Sequence, residues 1–404
     1  MPAFLTHWRI LIETARHSQD AGSDLGSLIV DAAALRRRAH GWSTPPLTTP
    51  TGAVWDTGPL PEIDFRFPGS DISAMAFIGA LAPDILYYHR RNFPRQLISA
   101  HQHKTHPDKL GTKHPLPWSE LFHTSHSGDI LVMFLEQVAL VPSPALRSQA
   151  LAFALGYVSH IATDLALNPW IEVLAARLLP HRASAHFLVE LRLDEYLATT
   201  YFEHPRYSML YQPWGEYIEP AAQSISQSGT LAAQILQLLA MAAEVYHLSE
   251  EQIETLPHDF LAGLQGLRHF LAGRGKARWL TLLAGWRHEQ QDLISKALAE
   301  PHSVEGILAL ENVLGYATRL SEHLCRRALN YYTALRNPNA QASERSSRRA
   351  SLVNDLRNWN LLTGYDTSSE PASSALHNWV HFANLWGQEE QRQEQIAHAI
   401  LPNS

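Results

Sequence analysis

The chain has 404 residues, long enough for two or three domains or for one large helical body. Its 45% hydrophobic content can fill a sizeable core, and its net charge of −7 argues against general nucleic-acid binding, which needs a basic face. The single cysteine, Cys325, excludes an internal disulfide and a thiolate metal cluster within the chain. Any metal would therefore be held by nitrogen and oxygen, and 23 histidines justify a search for ligands.

The first 20 residues predict an amphipathic helix that begins near Thr6. They lack the basic stretch, the apolar run and the small-residue cleavage site of a signal peptide. No uninterrupted apolar stretch in the chain approaches the length that crosses a bilayer. We therefore expect a cytoplasmic location, and export by a route without a cleaved signal stays open.

Helical periodicity dominates the rest of the chain. The Pro-, Gly- and Thr-rich segment 43–64 predicts a long loop, and the apolar segment 72–88 predicts a helix or buried turn that leads into Asp84. Apolar residues about every 3.6 positions predict further helices at 128–140, 145–167, 170–179, 184–201, 219–245, 258–272, 276–299, 303–335 and 375–401. No alternating pattern indicates a sheet, so the predicted fold class is all-α.

The polar chemistry is concentrated before Pro205. We therefore predict one domain over residues 1–205 and an additional helical C-terminal region of unknown role over 206–404, with a polar linker at about 337–350. Arginines make that linker locally basic, and a solvated charge run explains them sufficiently.

The segment 156–169, which reads GYVSHIATDLALNP, contains the strongest candidate residues. It lies in a helix that is apolar on every side and is therefore predicted to be buried. His160 and Asp164 are four residues apart, so they share one helix face. Burying an unpaired carboxylate costs several kcal/mol or more. A metal ion would compensate that cost, and a buried His–Asp hydrogen bond without metal is an equal alternative.

A second helix repeats this spacing. His186 and Glu190 are four residues apart, and Asp194 follows one turn later. Carboxylate and imidazole side chains on successive turns can reach one metal ion. Taken alone, however, an exposed ion pair explains His186 and Glu190 better.

Three further residues are candidates with ordinary alternatives. His7 lies on the apolar side of the first helix, where a histidine is usually a satisfied core residue. Asp84 is a charge within an apolar segment and requires a partner. His123 lies at the entry to a helix, where His126 and Asp129 compete for the same role.

The order of these residues along the chain is more specific than any one of them. His7, Asp84, His123, His160–x3–Asp164 and His186–x3–Glu190 resemble the ligand series of the zinc-dependent phospholipase C family. The matching segments, over about residues 1–200, read THWRILIETA, FIGALAPDILYY, LFHTSHSGDI, GYVSHIATD and HFLVE. This family includes secreted bacterial phospholipases C and the catalytic domain of glycosylphosphatidylinositol-specific phospholipase D. More distantly, it shares an all-helical fold with trinuclear-zinc fungal single-strand nucleases.

The resemblance implies a role for each residue. Asp164 would bridge two zinc ions, one of them also held by Asp84, His123 and His160, and the other by His7. His186 and Glu190 would hold a third ion. Asp84 is also the candidate catalytic residue, because a carboxylate at the rim of a metal centre can orient or deprotonate the attacking water.

Two departures from the family pattern leave the number of ions open. The family places a histidine where this chain has Asn168, whose carbonyl oxygen is a weaker ligand, and Asp194 is a partial substitute. Secreted members also use their processed N-terminal residue as a ligand, whereas this chain has six residues before His7. Two or three ions therefore remain open, with zinc expected and another divalent metal as the alternative.

The favoured function is hydrolysis of a phospholipid or a related phosphate ester through metal-activated water. Peripheral membrane contact is a further hypothesis. A lipid would need an apolar approach to the metal, and the loop with Trp55 and the segment 90–118 with Trp118 are candidates for its rim. The alternatives are a single-strand-specific nuclease, which the acidic balance disfavours, and a non-catalytic, metal-stabilised helical binding module. The adjacent His258 and Asp259 suggest a His-Asp phosphohydrolase, but Pro257 indicates that they begin a helix. The oligomeric state stays open.

Overall fold

The structure, a computed structural model, consists almost entirely of helices. It describes residues 4–20, 35–37, 47–48, 54–55, 61–63, 71–88, 118–178, 185–201, 231–271, 294, 296–299, 309–361 and 365–366. The α-helices are α1 (Phe4–Asp20), α2 (Asp71–Gly79), α3 (Ala82–Ile85), α4 (Trp118–Thr124), α5 (Ser127–Leu140), α6 (Pro144–Leu178), α7 (Ala185–Thr200), α8 (Leu231–Ala242), α9 (Glu250–Leu271), α10 (Leu310–Arg336) and α11 (Ala342–Leu356). The predicted all-α class is confirmed.

Strands form only three two-stranded antiparallel ladders within the described residues. The pairs are β1 (Leu35–Arg37) with β4 (Pro61–Ile63), β2 (Leu47–Thr48) with β3 (Val54–Trp55), and β5 (Trp359–Asn360) with β6 (Tyr365–Asp366). Three of these strands lie in the segment 43–64, which was predicted to be a loop. Strands of two or three residues are too short to show an alternating pattern.

Helix α6 is the centre of the fold. It contains 35 residues, about 52 Å of helix, and every residue from Gln149 to Ile171 is buried. Among the described residues it alone is long and apolar enough to cross a membrane, but its apolar window is covered by other parts of the protein. The prediction of a buried helix around His160 is therefore confirmed.

The predicted break between the helices 145–167 and 170–179 is wrong. Helix α6 continues through Pro169 to Leu178, so the two predicted helices 145–167 and 170–179 are one. A proline within a helix removes one backbone hydrogen bond and costs about 3 kcal/mol. Trp170, Ile171 and Leu174 are each 2% exposed or less, and burial of such large side chains on the continued helix compensates that cost.

Two hydrophobic cores meet along α6. Its residues up to Leu165 pack in a large core with parts of α1, α2, α5, α8, α9, α10 and α11. From Ala166 onward it packs in a second core with α7 and the start of α10. Residues from before and after position 205 thus share both cores. The predicted domain division at 205 stays a prediction.

A pair of glycines brings α2 and α6 into backbone contact. A Cβ atom on Gly156 would lie 2.0 Å from the carbonyl oxygen of Ala76, and one on Gly79 would lie 2.1 Å from that of Phe153. Only glycine permits this approach. It places the segment after α2, which leads to Asp84, against the helix turn that carries His160.

The predicted linker at 337–350 is also wrong. A short turn follows α10, and residues 342–356 form α11, whose Leu352 and Leu356 are buried in the large core. Two buried leucines on a largely polar helix give a weak sequence pattern, so packing decides the structure here. The predicted helix 375–401, and most of 276–299, lie outside the described residues.

The start of α9 differs from the prediction as well. The helix begins at Glu250, so Pro257 lies inside it and His258 does not start a helix. Ser249 and Gln252 form the real start signal, because the Gln252 N–H donates to Ser249 Oγ and the Ser249 N–H donates to Gln252 Oε1. This reciprocal pair is a capping box.

The glycine contact can be tested by Gly156→Ala. We expect the variant to lose about 1–3 kcal/mol of unfolding free energy, because the added methyl group meets a backbone carbonyl that cannot rotate away. Urea denaturation measures the effect. Gly315→Ala is the control, since a Cβ there meets nothing within 4 Å, and it should gain about 0.5–1 kcal/mol. Equal stability of Gly156→Ala and the unmodified protein would contradict the contact.

Cys325 provides an independent test of the core. Its side chain is fully buried on α10, its Sγ atom lies 3.5 Å from the Leu155 carbonyl oxygen, and burial raises its pKa to about 12. At pH 8 the folded protein should therefore hardly react with a thiol reagent, because the thiolate is the reacting form. One thiol should react after unfolding in urea. Rapid stoichiometric labelling of the folded protein would show that this core is open.

Candidate metal centre

Five of the predicted ligands meet inside the protein. His7 is supplied by α1, Asp84 by α3, His123 by α4, and His160 and Asp164 by α6. Counted over backbone and side chain together, each of the five residues is at most 7% exposed. The sequence separation between them reaches 157 residues from His7 to Asp164, so only the tertiary packing brings them together.

Asp84 contacts all three imidazoles. Its Oδ1 lies 3.2 Å from His123 Nε2, and its Oδ2 lies 3.3 Å from His7 Nε2 and 3.8 Å from His160 Nδ1. The Oδ2 atom is buried and makes no hydrogen bond. A buried carboxylate oxygen without a hydrogen bond is costly unless a cation satisfies it.

Asp164 also contacts all three histidines. Its Oδ1 is 3.4 Å from His7 Nε2, and its Oδ2 is 3.4 Å from His160 Nε2 and 3.6 Å from His123 Nε2. Its side chain is 10% exposed, against at most 4% for the other four. Solvent therefore reaches the cluster beside Asp164.

The backbone fixes the tautomers of two histidines. His123 Nδ1 lies 2.6 Å from the Ser119 carbonyl oxygen, and His160 Nδ1 lies 3.0 Å from that of Ala80. A carbonyl oxygen only accepts, so both Nδ1 atoms carry the proton. In neutral rings the two Nε2 atoms then present lone pairs to each other across 3.4 Å. Two facing lone pairs beside two carboxylates repel one another unless a cation lies between them.

His7 completes the cluster from the opposite side. Its ring stacks on that of His160, with centroids 4.3 Å apart and planes at 14°. Its Nε2 points at both carboxylates, while its Nδ1 is buried without a hydrogen bond. The first helix therefore presents one imidazole nitrogen to the cluster.

The charges of the cluster depend on one another. Burial opposes ionisation, but His160, His123 and His7 hold the pKa of Asp84 well below its ordinary value, and the pKa of Asp164 is lowered mainly by His160. Although burial lowers it, the pKa of His160 is raised by Asp164 and Asp84, whereas burial and His160 lower that of His7. Two anionic carboxylates thus lie among three imidazoles at neutral pH.

The donors form two overlapping groups that could each hold a metal ion. The ligand atoms of His7, His160 and Asp164 lie within 4.8 Å of one another, as do those of Asp84, His123 and His160. Imidazole nitrogen and carboxylate oxygen are typical ligands of zinc and related divalent ions. The buried, unsatisfied Asp84 oxygen and the facing Nε2 atoms fit such an ion.

The second predicted pair occupies a different position. His186 Nε2 lies 2.9 Å from Glu190 Oε1, and His186 Nδ1 lies 2.9 Å from Glu172 Oε1. The two carboxylates contact opposite nitrogens of one ring, so the three donors do not converge on one point as the other groups do. Sequence reasoning missed Glu172, because no regular spacing links it to His186. The role of His186 and Glu190 as ligands of a third ion stays a prediction.

The two weaker candidates have backbone partners. The Asn168 Nδ2 group donates to the Leu361 carbonyl oxygen across 2.7 Å. Asp194 Oδ1 accepts the N–H groups of Leu5, at 3.1 Å, and Thr6, at 3.3 Å, and thereby caps the first turn of α1. Asp194 therefore supports the helix that carries His7. The predicted ligand roles of Asn168 and Asp194 are untested.

Other candidates lie outside the cluster. His126 pairs with Asp129 at 3.0 Å in a half-exposed position, so His123 is the residue of that segment that enters the cluster. Trp118, a candidate for the rim of the substrate approach, is 7% exposed, and its Nε1 donates to Thr255 Oγ1. Its role at the rim stays a prediction. The side chain of Trp55 lies outside the described residues.

Metal binding can be tested by thermal denaturation. A ligand present at 100 times its Kd stabilises the native state by about 2.7 kcal/mol, so zinc should raise the Tm of chelator-treated protein by several degrees. His160→Ala should abolish that increase because both donor groups use His160. His258→Ala is the matched control, since this histidine is exposed on α9. A zinc-induced increase that persists in His160→Ala would contradict the assignment.

Comparison with known proteins agrees with this geometry. Residues 63–228 match the family model described as zinc dependent phospholipase C. The matched segment contains Asp84, His123, His160 and Asp164, whereas His7 precedes it. No curated protein and no solved structure gives a significant match. The family model that matches residues 63–228 is thus that of the zinc-dependent phospholipase C family, which the ordered histidines and carboxylates of this chain resemble.

Proposed function

We propose that this protein is a metal-dependent phosphodiesterase of the phospholipase C type with a centre for two zinc ions. The observation that carries the proposal is the convergence of His123 Nε2, His160 Nε2 and two buried carboxylates on one small volume. Without a cation, this arrangement places lone pairs and negative charges against one another at low exposure. The family match supports zinc as the cation and a phosphodiester as the substrate.

Two ions fit the donor groups better than three. Asp84 and His123 belong to one group and His7 and Asp164 to the other, while His160 lies in both. Asp164 lies within 3.6 Å of an imidazole nitrogen from each group, so it would contribute to both donor groups. His186 does not form a third converging group, because Glu172 and Glu190 contact opposite nitrogens of its ring.

The residues of the centre would have different roles in hydrolysis. Bound zinc ions would neutralise the charge that builds on the phosphodiester and would lower the pKa of an attacking water. Asp84 would help to hold the ions and to orient that water. The carbonyl groups of Ala80 and Ser119 hold the imidazoles of His160 and His123 in one orientation, which keeps the donors in place before substrate binds.

The position of the centre favours an ester at the end of a larger molecule. The cluster is buried, and Asp164 is its most exposed side chain. A phospholipid presents its phosphodiester next to a polar head group, which can reach such a centre from the solvent side. We therefore propose a phospholipid or a related ester as the substrate class, with contact to a membrane surface.

Catalysis can be tested with a chromogenic phosphocholine ester. Asp164→Asn should lower kcat/KM by at least about 100-fold, because it removes one charge from the centre while preserving its shape. Activity of the unmodified protein should be lost with a chelator and return with zinc. Asp355→Asn is the matched control, since Asp355 lies on α11 and pairs with Arg327 and His323. Chelator-insensitive hydrolysis, or full activity of Asp164→Asn, would contradict the proposal.

The substrate class requires a separate comparison. Phospholipid vesicles and single-stranded DNA would be supplied in parallel at equal phosphodiester concentration. We expect turnover of the lipid only, because the net charge of −7 opposes binding of a polyanion. Turnover of the DNA alone would make the protein a nuclease. Bound zinc without hydrolysis of either substrate would make it a non-catalytic binding module.

A further inference from the structure

A short segment after α11 lies against the metal centre. Residues 357–361, here called the strap, follow α11 and include β5 and the turn at Leu361. Leu361 is fully buried, although it lies 193 residues along the chain from Asn168 on α6. The strap thus brings the C-terminal region to the helices that carry the ligands.

Both backbone groups of Leu361 are used in this contact. Its N–H donates to the His123 carbonyl oxygen across 2.6 Å, and its carbonyl oxygen accepts the Nδ2 group of Asn168 at 2.7 Å. His123 is a ligand on α4, and Asn168 lies one turn beyond the ligand Asp164 on α6. A single residue of the strap therefore links the two ligand-bearing helices.

The strap also satisfies backbone groups that the helices leave open. His123 lies in the last turn of α4, where a carbonyl has no partner within its helix, and Leu361 provides the donor. The Asp129 N–H lies in the first turn of α5 and donates to Asn358 Oδ1, while Asn358 Nδ2 donates to Asp129 Oδ2. The strap caps both sides of the corner between α4 and α5.

Close contact and backbone strain show that the strap is held firmly. A Cβ on Gly128 would lie 2.0 Å from the Arg357 carbonyl oxygen, so only glycine permits this approach. Ser127 Oγ donates to the Trp359 carbonyl oxygen at 2.9 Å. Arg357 has a φ of 48°, and a non-glycine residue keeps such a conformation only where its surroundings determine it.

We propose that Asn168 and the strap are positioning elements of the metal centre. Asn168 acts as a donor that clamps Leu361, and Leu361 holds His123 at its distance from His160 and Asp164. In this arrangement Asn168 is a positioning residue and not a metal ligand. The inference rests on the proposed two-ion centre, and it gives the C-terminal region a part in the site.

The Asn168→Asp variant distinguishes two roles of Asn168, that of a hydrogen-bond donor which clamps Leu361 and that of a metal ligand. The two side chains have the same shape, but an ionised carboxylate cannot donate to the Leu361 carbonyl and is the stronger metal ligand of the two. A clamp therefore predicts weaker metal binding in this variant, and a ligand predicts equal or tighter binding. Zinc affinity would be measured at pH 8 by competition with a chromogenic chelator, and stoichiometry by elemental analysis after dialysis.

Gly128→Ala displaces the strap without changing Asn168 or any ligand. Its methyl group would push on the Arg357 carbonyl, so it should weaken zinc binding in the same way as Asn168→Asp. Leu239→Ala is the stability control, because it removes buried volume on α8 and should lower the Tm while zinc affinity stays unchanged. A general loss of stability is thereby separated from a change at the centre.

The expected result is two zinc ions in the unmodified protein and binding about 10–100-fold weaker in both strap variants, as for other residues that orient metal ligands. Unchanged affinity in both variants would overturn the positioning role. Tighter binding in Asn168→Asp, or a third ion that only this position controls, would make Asn168 a ligand and overturn it as well. An unmodified protein that binds no zinc would instead refute the proposed function itself.

Discussion

The structure depends on one electrostatic constraint, the burial of two carboxylates among three imidazoles whose free nitrogens converge. Asp84 and Asp164 each approach all three rings, and the protonated Nδ1 atoms of His123 and His160 donate to backbone carbonyl oxygens. Such a set of acceptors is costly inside a protein unless a cation joins it. A bound cation would supply the missing positive charge, and in the proposed function the same charge would assist the hydrolysis of a phosphodiester. A bound cation would therefore serve both the stability of the cluster and the proposed hydrolysis.

Close packing around one long helix positions the side chains of the cluster. Helix α6 supplies His160 and Asp164 from the middle of the protein, where the two hydrophobic cores meet. Glycine contacts let α2 approach α6 closely enough for the Ala80 carbonyl to orient His160. Asp194 caps the helix that carries His7, and Arg9 on the same helix forms an ion pair with Glu311 of α10. His160 and His7 are thus positioned by residues outside the five-residue cluster.

The C-terminal region takes part in this architecture. Helix α10 packs along α6 in both cores, and the strap that follows α11 reaches His123 and Asn168. Asn168, where the family resemblance predicted a histidine, has a defined partner in the Leu361 carbonyl. This hydrogen bond connects α6 directly to the strap in the C-terminal region.

The sequence by itself determined the helical class and the buried state of the helix around His160, and it included the five clustered residues among seven predicted ligands. Apolar periodicity and i,i+4 spacing are visible within short windows, whereas the ordered series of candidates extends from His7 to Glu190. Only the tertiary structure decided that α6 continues through Pro169, that residues 342–356 are helical, and that Glu172 and Leu361 contact predicted ligands. The physical reason is the same in each case. Burial of side chains against distant segments outweighs local propensity, and no local pattern records which distant segment will provide it.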